Sequence, residues 1–154
     1  MIFDGVREFL SKYNIVGEDL ERPWGGFYCI DDTQVTSFIQ DFFPSIHIDA
    51  THPISPKILI IAPEQKLSWQ YHHRREEVWS IVKGPVGVVR SNNNEPGLLQ
   101  THESGDLIHI GCEERHRLIG LEDVAIVAEL WKHVNPDYLS DETDIVRLKD
   151  EYGR

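Results

Sequence analysis

The sequence predicts an all-β barrel or sandwich, and three observations predict it. Short apolar runs at 26–30, 36–42, 57–62, 67–72, 78–83, 86–90, 98–102, 107–110, 116–119 and 124–131 follow one another at strand length. Turn chemistry separates them: Pro44, Pro53, Pro56, Pro63, Gly84-Pro85, the polar stretch 92–97, Gly105 and Gly120. Helical periodicity is almost absent from this region. Many short strands broken in this way close into a barrel or stack as two sheets.

In chain order, residues 1–15 read first as a short amphipathic helix. Phe3, Val6, Phe9, Leu10 and Tyr13 share one face, Arg7, Glu8 and Lys12 the other, and Asp4 is placed to cap it. Residues 1–20 are expected to pack this helix on the barrel or across a dimer interface, with residues 21–154 forming the one domain. Segment 92–97 is expected as an exposed hairpin loop. The acidic tail after Pro136 is read as a short helix or an extended strap.

Composition narrows the function classes. The chain has 154 residues, 40% of them hydrophobic and 10% aromatic, enough for a real core. A formal charge of −11 disfavours nucleic-acid backbones and anionic membranes as partners. No apolar run reaches membrane-spanning length, and residues 1–5 lack the basic and apolar regions of a signal peptide. The two cysteines, Cys29 and Cys112, form no disulfide or zinc pattern, so a reduced, cytoplasmic protein is expected.

The segment 67–79 carries the chemistry. On a strand, Gln70 and His72 point to the same face, because side chains alternate with a period of two. A turn through 73–76 is expected to bring Glu77 onto the next antiparallel strand, opposite that pair. His116, opening a late strand, is the candidate fourth member. An amide oxygen, imidazoles and a carboxylate on one inner face suit a borderline divalent ion, or else form a hydrogen-bonded polar cluster. Arg75 and Arg117 are either surface arginines or forked donors to a phosphate. Lys57 either faces the pocket or caps a sheet edge. Trp69, Trp79, Phe27 and Phe38 are read as packing residues.

These residues carry a resemblance. Gln70, His72, Glu77 and Gly84 resemble the first cupin motif, with glutamine in place of its first histidine, and 105–111 followed by His116 resembles the second. Arg22-Pro23-Trp24-Gly25, Ser68, Arg75, Trp79, Glu129, Asp144-Ile145-Val146-Arg147 and Tyr152-Gly153-Arg154 extend the likeness to the cupin domain of type II mannose-6-phosphate isomerases. Arg74 departs from that family's usual histidine and His109 from its usual proline. Four residues, rather than the usual two, separate Gly111 from His116.

The resemblance implies a cupin double-stranded β-helix, a jelly-roll barrel with a short N-terminal helix and a C-terminal strap. It implies a divalent ion, zinc first and Mn²⁺, Ni²⁺, Co²⁺ or Fe²⁺ as alternatives, held by Gln70, His72, Glu77 and His116. It further implies an aldose–ketose isomerase converting mannose 6-phosphate to fructose 6-phosphate through an enediolate. Glu129, His109 and Lys57 are then the candidates for the proton-carrying base, Arg75 and Arg117 the candidates for binding the phosphate. The partner expected is a small sugar phosphate, with a homodimer as the assembly. A non-catalytic cupin that senses a sugar phosphate or sugar nucleotide, and a cupin oxygenase, are the alternatives.

Overall fold

The computed structural model describes residues 2–154, and among them eleven strands form two antiparallel sheets. The first sheet runs in the order β1 (Ile15–Arg22), β2 (Gly25–Ile30), β3 (Ile54–Ile61), β10 (Ala125–His133), β5 (Arg75–Lys83) and β8 (Leu107–Ile110). The second runs β11 (Val146–Lys149), β4 (Trp69–Tyr71), β9 (Arg115–Gly120), β6 (Val86–Ser91) and β7 (Gln100–His102).

Strand alternation divides the first sheet's side chains between two cores. Leu59 and Ile61 of β3, Trp79 and Ile81 of β5, and Val127 of β10 point into the barrel, where they meet Val86, Val88 and Leu118 of the second sheet. Ile58 and Ile60, Val78, and Ala128 and Leu130 point outward and pack with Leu10, Tyr13, Phe38 and Phe43. Because β3 and β10 bury both faces, their sequences read as nearly unbroken apolar runs.

The outer core rests under two short helices. The expected N-terminal helix is confined to α1 (Val6–Phe9), and its cap position is taken by Gly5, not Asp4, in the left-handed conformation at φ 81°. Residues 36–42, expected as a strand, are instead helix α2 (Val35–Phe42). Val35, Phe38, Ile39 and Phe42 recur at helical spacing, and Asp31 accepts the Thr33 N–H ahead of the helix. Phe38 is fully buried and stacks edge-on with Tyr13. Val6, Leu10 and Tyr13 of the apolar face of residues 1–15 are thus buried within its own chain, in the core that α2 joins, while Phe9 of the same face stays half exposed. Strand β1 was hidden in the sequence by its charges, Glu18, Asp19, Glu21 and Arg22, which suit an edge strand.

Gly25 is needed where β2 meets β3. Its φ is +143°, and a Cβ there would lie 2.0 Å from the Ile60 carbonyl oxygen. No helix among the described residues is long and apolar enough to cross a membrane.

Candidate metal centre

The barrel interior brings together the residues that the segment 67–79 placed in sequence. In the β4–β9 pairing Gln70 stands directly opposite His116, so both present to the same wall. His72 follows the end of β4, and the chain then crosses to the other sheet. The expected hairpin is absent: β4 pairs with β9 and β11, while β5 pairs with β10 and β8. Glu77 therefore faces His72 and His116 across the interior. Their ligand atoms all lie within 4.8 Å of one another, and all three side chains are buried.

The protonation of this set follows from its surroundings. His72 Nδ1 lies 2.6 Å from the Asp144 carbonyl, and His116 Nδ1 lies 2.8 Å from the Glu114 carbonyl. Each Nδ1–H therefore donates to a carbonyl, and in the neutral ring Nε2 carries the lone pair. Those lone pairs face Glu77, His72 Nε2 at 3.3 Å and His116 Nε2 at 3.6 Å. Burial is the main reason that the His72 imidazole is held down to about 3, with Arg75 and His116 adding to it against the pull of Glu77. Burial likewise lowers His116. Burial opposes the Glu77 charge, yet Arg75 above all holds this carboxyl below the usual range.

Two neutral imidazole acceptors and a carboxylate acceptor thus converge, and a cation is what resolves such an arrangement. Arg75 supplies part of that charge: its Nε donates to Glu77 at 2.9 Å, and a terminal nitrogen lies 3.2 Å from His72 Nε2. Among the described residues, no donor bridges His116 Nε2 and Glu77 in this way. The set fits a divalent ion, with Gln70 on the same wall to complete four ligands.

A second layer holds the first. The Asp144 carboxylate accepts the backbone N–H groups of His73 and Arg74, each at 3.0 Å, and the Ser140 hydroxyl at 2.6 Å. Ser140 in turn accepts from Arg75 at 2.8 Å. The longer loop before His116 is tied at several points. Glu113 N–H donates to the His72 carbonyl at 2.9 Å, and the Cys112 thiol approaches the His73 carbonyl at 3.0 Å. Arg90 grips Glu114 at 2.6 Å. The two extra residues fold onto the metal-site turn and still deliver His116 to the interior. Cys29 and Cys112 are both free thiols.

Glu129 lies on the same wall as Glu77. Its oxygens accept the indole N–H groups of Trp79, at 2.9 Å, and Trp131, at 2.7 Å. The Trp79 indole is shared, since it also reaches Glu77 at 3.1 Å. Burial first, and then the Glu77 charge, raise the Glu129 carboxyl to about 8 against the opposing pull of Lys57 and Arg75. Lys57 is buried in the middle of the sheet, not at an edge. Its ammonium lies 4.1 Å from the Phe27 ring centre and 3.9 Å from that of Trp131, and it pairs with Glu142.

Two of the candidates, His109 and Arg117, lie away from the cavity, and the third, Arg75, lines it with its guanidinium already engaged. His109 sits on the outer face of β8, half exposed and 3.2 Å from Glu76, because Ile108 and Ile110 take the inward positions. Arg117 spends its guanidinium on the Leu67 carbonyl at 2.8 Å and on Glu151 at 2.9 Å, outside the cavity. Arg75 does line the cavity, but it is buried between Glu77, Ser140 and the Trp131 face 3.5 Å away. The basic groups at the mouth are instead Arg22, Arg147 and Arg154, with Lys57 just inside. Sequence reasoning missed the roles of Trp79, Trp131, Ser140 and Glu142. The signal for the indoles was present: Glu77 and Trp79, like Glu129 and Trp131, are two residues apart on a strand and must share a face.

Comparison with known proteins places the chain in a family. The family model described as mannose-6-phosphate isomerase, C-terminal, matches residues 42–150. The xanthan biosynthesis protein XanB of Xanthomonas campestris pv. campestris is 31% identical over 156 aligned residues, covering 97% of this chain and 28% of XanB. The mannose-1-phosphate guanylyltransferase ManC of Salmonella typhimurium is 35% identical over 136, covering 88% of this chain and 23% of ManC. The chain thus spans about a quarter of the length of these relatives. Among solved structures, the capsular polysaccharide assembling protein CapF of Staphylococcus aureus superposes with a TM-score of 0.59 at 15% identity, over 90% of this chain and 35% of CapF. A mutant of Bacillus subtilis oxalate decarboxylase OxdC superposes with a TM-score of 0.61 at 13% identity, over 90% of this chain and 31% of OxdC. At such identities these two structures speak for the fold. The chain is a jelly-roll cupin and belongs to the mannose-6-phosphate isomerase C-terminal family.

Proposed function

We propose that this chain is a metal-dependent aldose–ketose isomerase acting on a hexose phosphate, with mannose 6-phosphate and fructose 6-phosphate as its pair. The observation that carries the proposal is one cluster inside the cavity. There the two imidazole Nε2 atoms and the Glu77 carboxylate adjoin a second carboxyl, Glu129, through the shared Trp79 indole. Family membership supports the substrate class.

Gln70, His72, Glu77 and His116 would hold the ion, zinc in the first instance. When bound, the ion supplies Lewis-acid polarisation of the sugar carbonyl and stabilises the negative charge that develops on its oxygen. The protein's own task is the proton. Glu129 takes the proton from C2 as a carboxylate and returns it to C1, while the C2 hydroxyl proton passes to the C1 oxygen, and a carboxyl that titrates near neutrality can both accept and return a proton. Two indole donors fix its orientation. Arg75 keeps Glu77 charged and in place. Apolar side chains, Trp24, Phe27, Leu59 and Leu118, line the cavity and keep water from the reacting carbons. The basic mouth receives the phosphate, whose binding positions carbons that it does not touch.

A coupled assay for fructose 6-phosphate tests the proposal, using the purified chain loaded with Zn²⁺, Mn²⁺, Ni²⁺ or Co²⁺. Product from mannose 6-phosphate, and none from mannose, is expected. A second reading is favoured by one observation. The cavity is only about 80 Å³, against roughly 300–1,000 Å³ for typical small-molecule sites, as suits a sensor closed at rest. That reading predicts saturable binding of mannose 6-phosphate without product.

A further inference from the structure

The C-terminal strap closes the cavity with a carboxylate. Ser140 and Asp144 are buried and held by the hydrogen bonds described above, and β11 is paired to β4. Between these anchors the chain makes a tight turn, in which Thr143 N–H donates to the Asp141 side chain at 2.9 Å. Glu142 stands at the tip of that turn. It is half exposed, lines the cavity, contacts the Lys57 ammonium and approaches Arg22 at 3.8 Å.

The two cations are imperfectly matched by it. Lys57 is buried against two aromatic faces and needs an anion on its open side. Arg22 has Asp19 at 3.0 Å from its Nε, yet that nitrogen makes no directed hydrogen bond. It is the buried side-chain polar atom left without a partner among the described residues. Arg147 and Arg154 add positive charge at the same opening, although Asp150 engages Arg154 at 2.8 Å. A monoanionic carboxylate satisfies Lys57 and only nears Arg22. A phosphate monoester, with three acceptor oxygens and nearly two charges, matches both the ammonium and the guanidinium fork.

We propose that Lys57 and Arg22 form the phosphate-monoester subsite of this cavity, and that Glu142 is a built-in carboxylate that occupies it until a phosphate displaces it. The proposal rests on the sugar-phosphate reading and deepens it. Displacement requires the Glu142 side chain to swing out; the anchors at Ser140 and Asp144 stay in place. A neutral hexose offers no charge to replace Glu142, so the strap admits the phosphorylated sugar and rejects the free one. The same swing enlarges a cavity that is otherwise small for a hexose phosphate.

Calorimetric titration of the whole chain with inorganic phosphate tests this without any turnover. Glu142→Gln is expected to bind phosphate about tenfold more tightly than the natural chain, the gain for a competitor that fills the subsite about nine-tenths of the time. Glu142→Ala is expected to do the same, which guards against a private effect of the new amide. Lys57→Met keeps the side-chain stem over the rings and should lose phosphate binding, and Lys57→Arg should keep it. Equal phosphate affinity in the natural chain and both Glu142 variants, or undiminished binding in Lys57→Met, overturns the proposal. The isomerase reading fails separately: phosphate binding that responds as described, in a chain that makes no fructose 6-phosphate, leaves the subsite standing.

Discussion

The Asp144 carbonyl lies 2.6 Å from Nδ1 of His72, across 72 residues of sequence. The far end of the chain thereby sets which imidazole nitrogen is free, while the Asp144 side chain fastens the turn that carries His72. Groups that orient a ligand in this way are commonly worth roughly 10–100-fold in metal affinity. Asp144→Ala is expected to weaken divalent-ion binding by about that factor, measured by competition with a chelating dye. An affinity within about twofold of the natural chain would show that the Asp144 side chain does not position His72.

Trp131→Phe isolates one hydrogen bond, because phenylalanine retains a ring beneath Arg75 and Lys57 and lacks the N–H that Glu129 accepts. That N–H favours the charged carboxylate, so its loss raises the Glu129 pKa further. The ascending limb of the pH profile for isomerisation is expected to move to higher pH. Leaving this buried acceptor less satisfied should also cost about 1–3 kcal/mol of stability. An unmoved limb would mean that Glu129 is not the group that carries the proton.

The raised Glu129 pKa also bears on folding. In the unfolded chain its carboxyl ionises near 4.5, and in the ion-free fold near 8. Between those values the folded state binds more protons, so this residue's contribution is complete below about pH 4.5 and is lost as pH rises through about 8. Metal-stripped protein should therefore lose stability relative to Glu129→Gln over that window, at on the order of 1 kcal/mol per pH unit. Urea unfolding at several pH values measures it. Parallel curves for the two proteins would contradict the assignment.

Phe38 tests the part of the fold that the sequence hid. It is fully buried on α2 and stacks with Tyr13 and Phe42 over the outer face of the first sheet. Phe38→Ala is expected to cost about 3–5 kcal/mol, read as a shift in the denaturant midpoint at unchanged slope. A cost under about 1 kcal/mol would mean that the helix layer is not part of the cooperative core.

Where period-two alternation governed, the sequence was legible. Gln70 and His72 could be placed on one inner wall, with Glu77 facing it, because strand parity is set by chain position alone; His116, expected across from His72, instead stands beside Gln70 on the same wall. The same rule contained the answer for His109 and Arg117. Ile108 and Ile110 claim the interior of β8 and leave His109 outside, and His116 claims the interior of β9 and leaves Arg117 on the strap side. Helix α2 was hidden because a run of Val, Thr, Phe and Ile has strand composition, while its helical spacing spans barely two turns. The Asp144, Ser140 and Glu142 contacts lie some 65 to 85 residues from their partners, and no local pattern encodes them. The charge on Arg75 was visible in sequence, but its use was not. Only the fold shows that it is spent on Glu77 and His72 inside the barrel.

The measurement closest to the central claim is the number of divalent ions retained per chain after exhaustive dialysis, for the natural protein and for His116→Ala. One ion per natural chain is predicted, removable by chelator, restored by Zn²⁺, Mn²⁺, Ni²⁺ or Co²⁺, and lost in the variant. A folded natural chain that holds well under one ion, and that none of these metals restores, would contradict it.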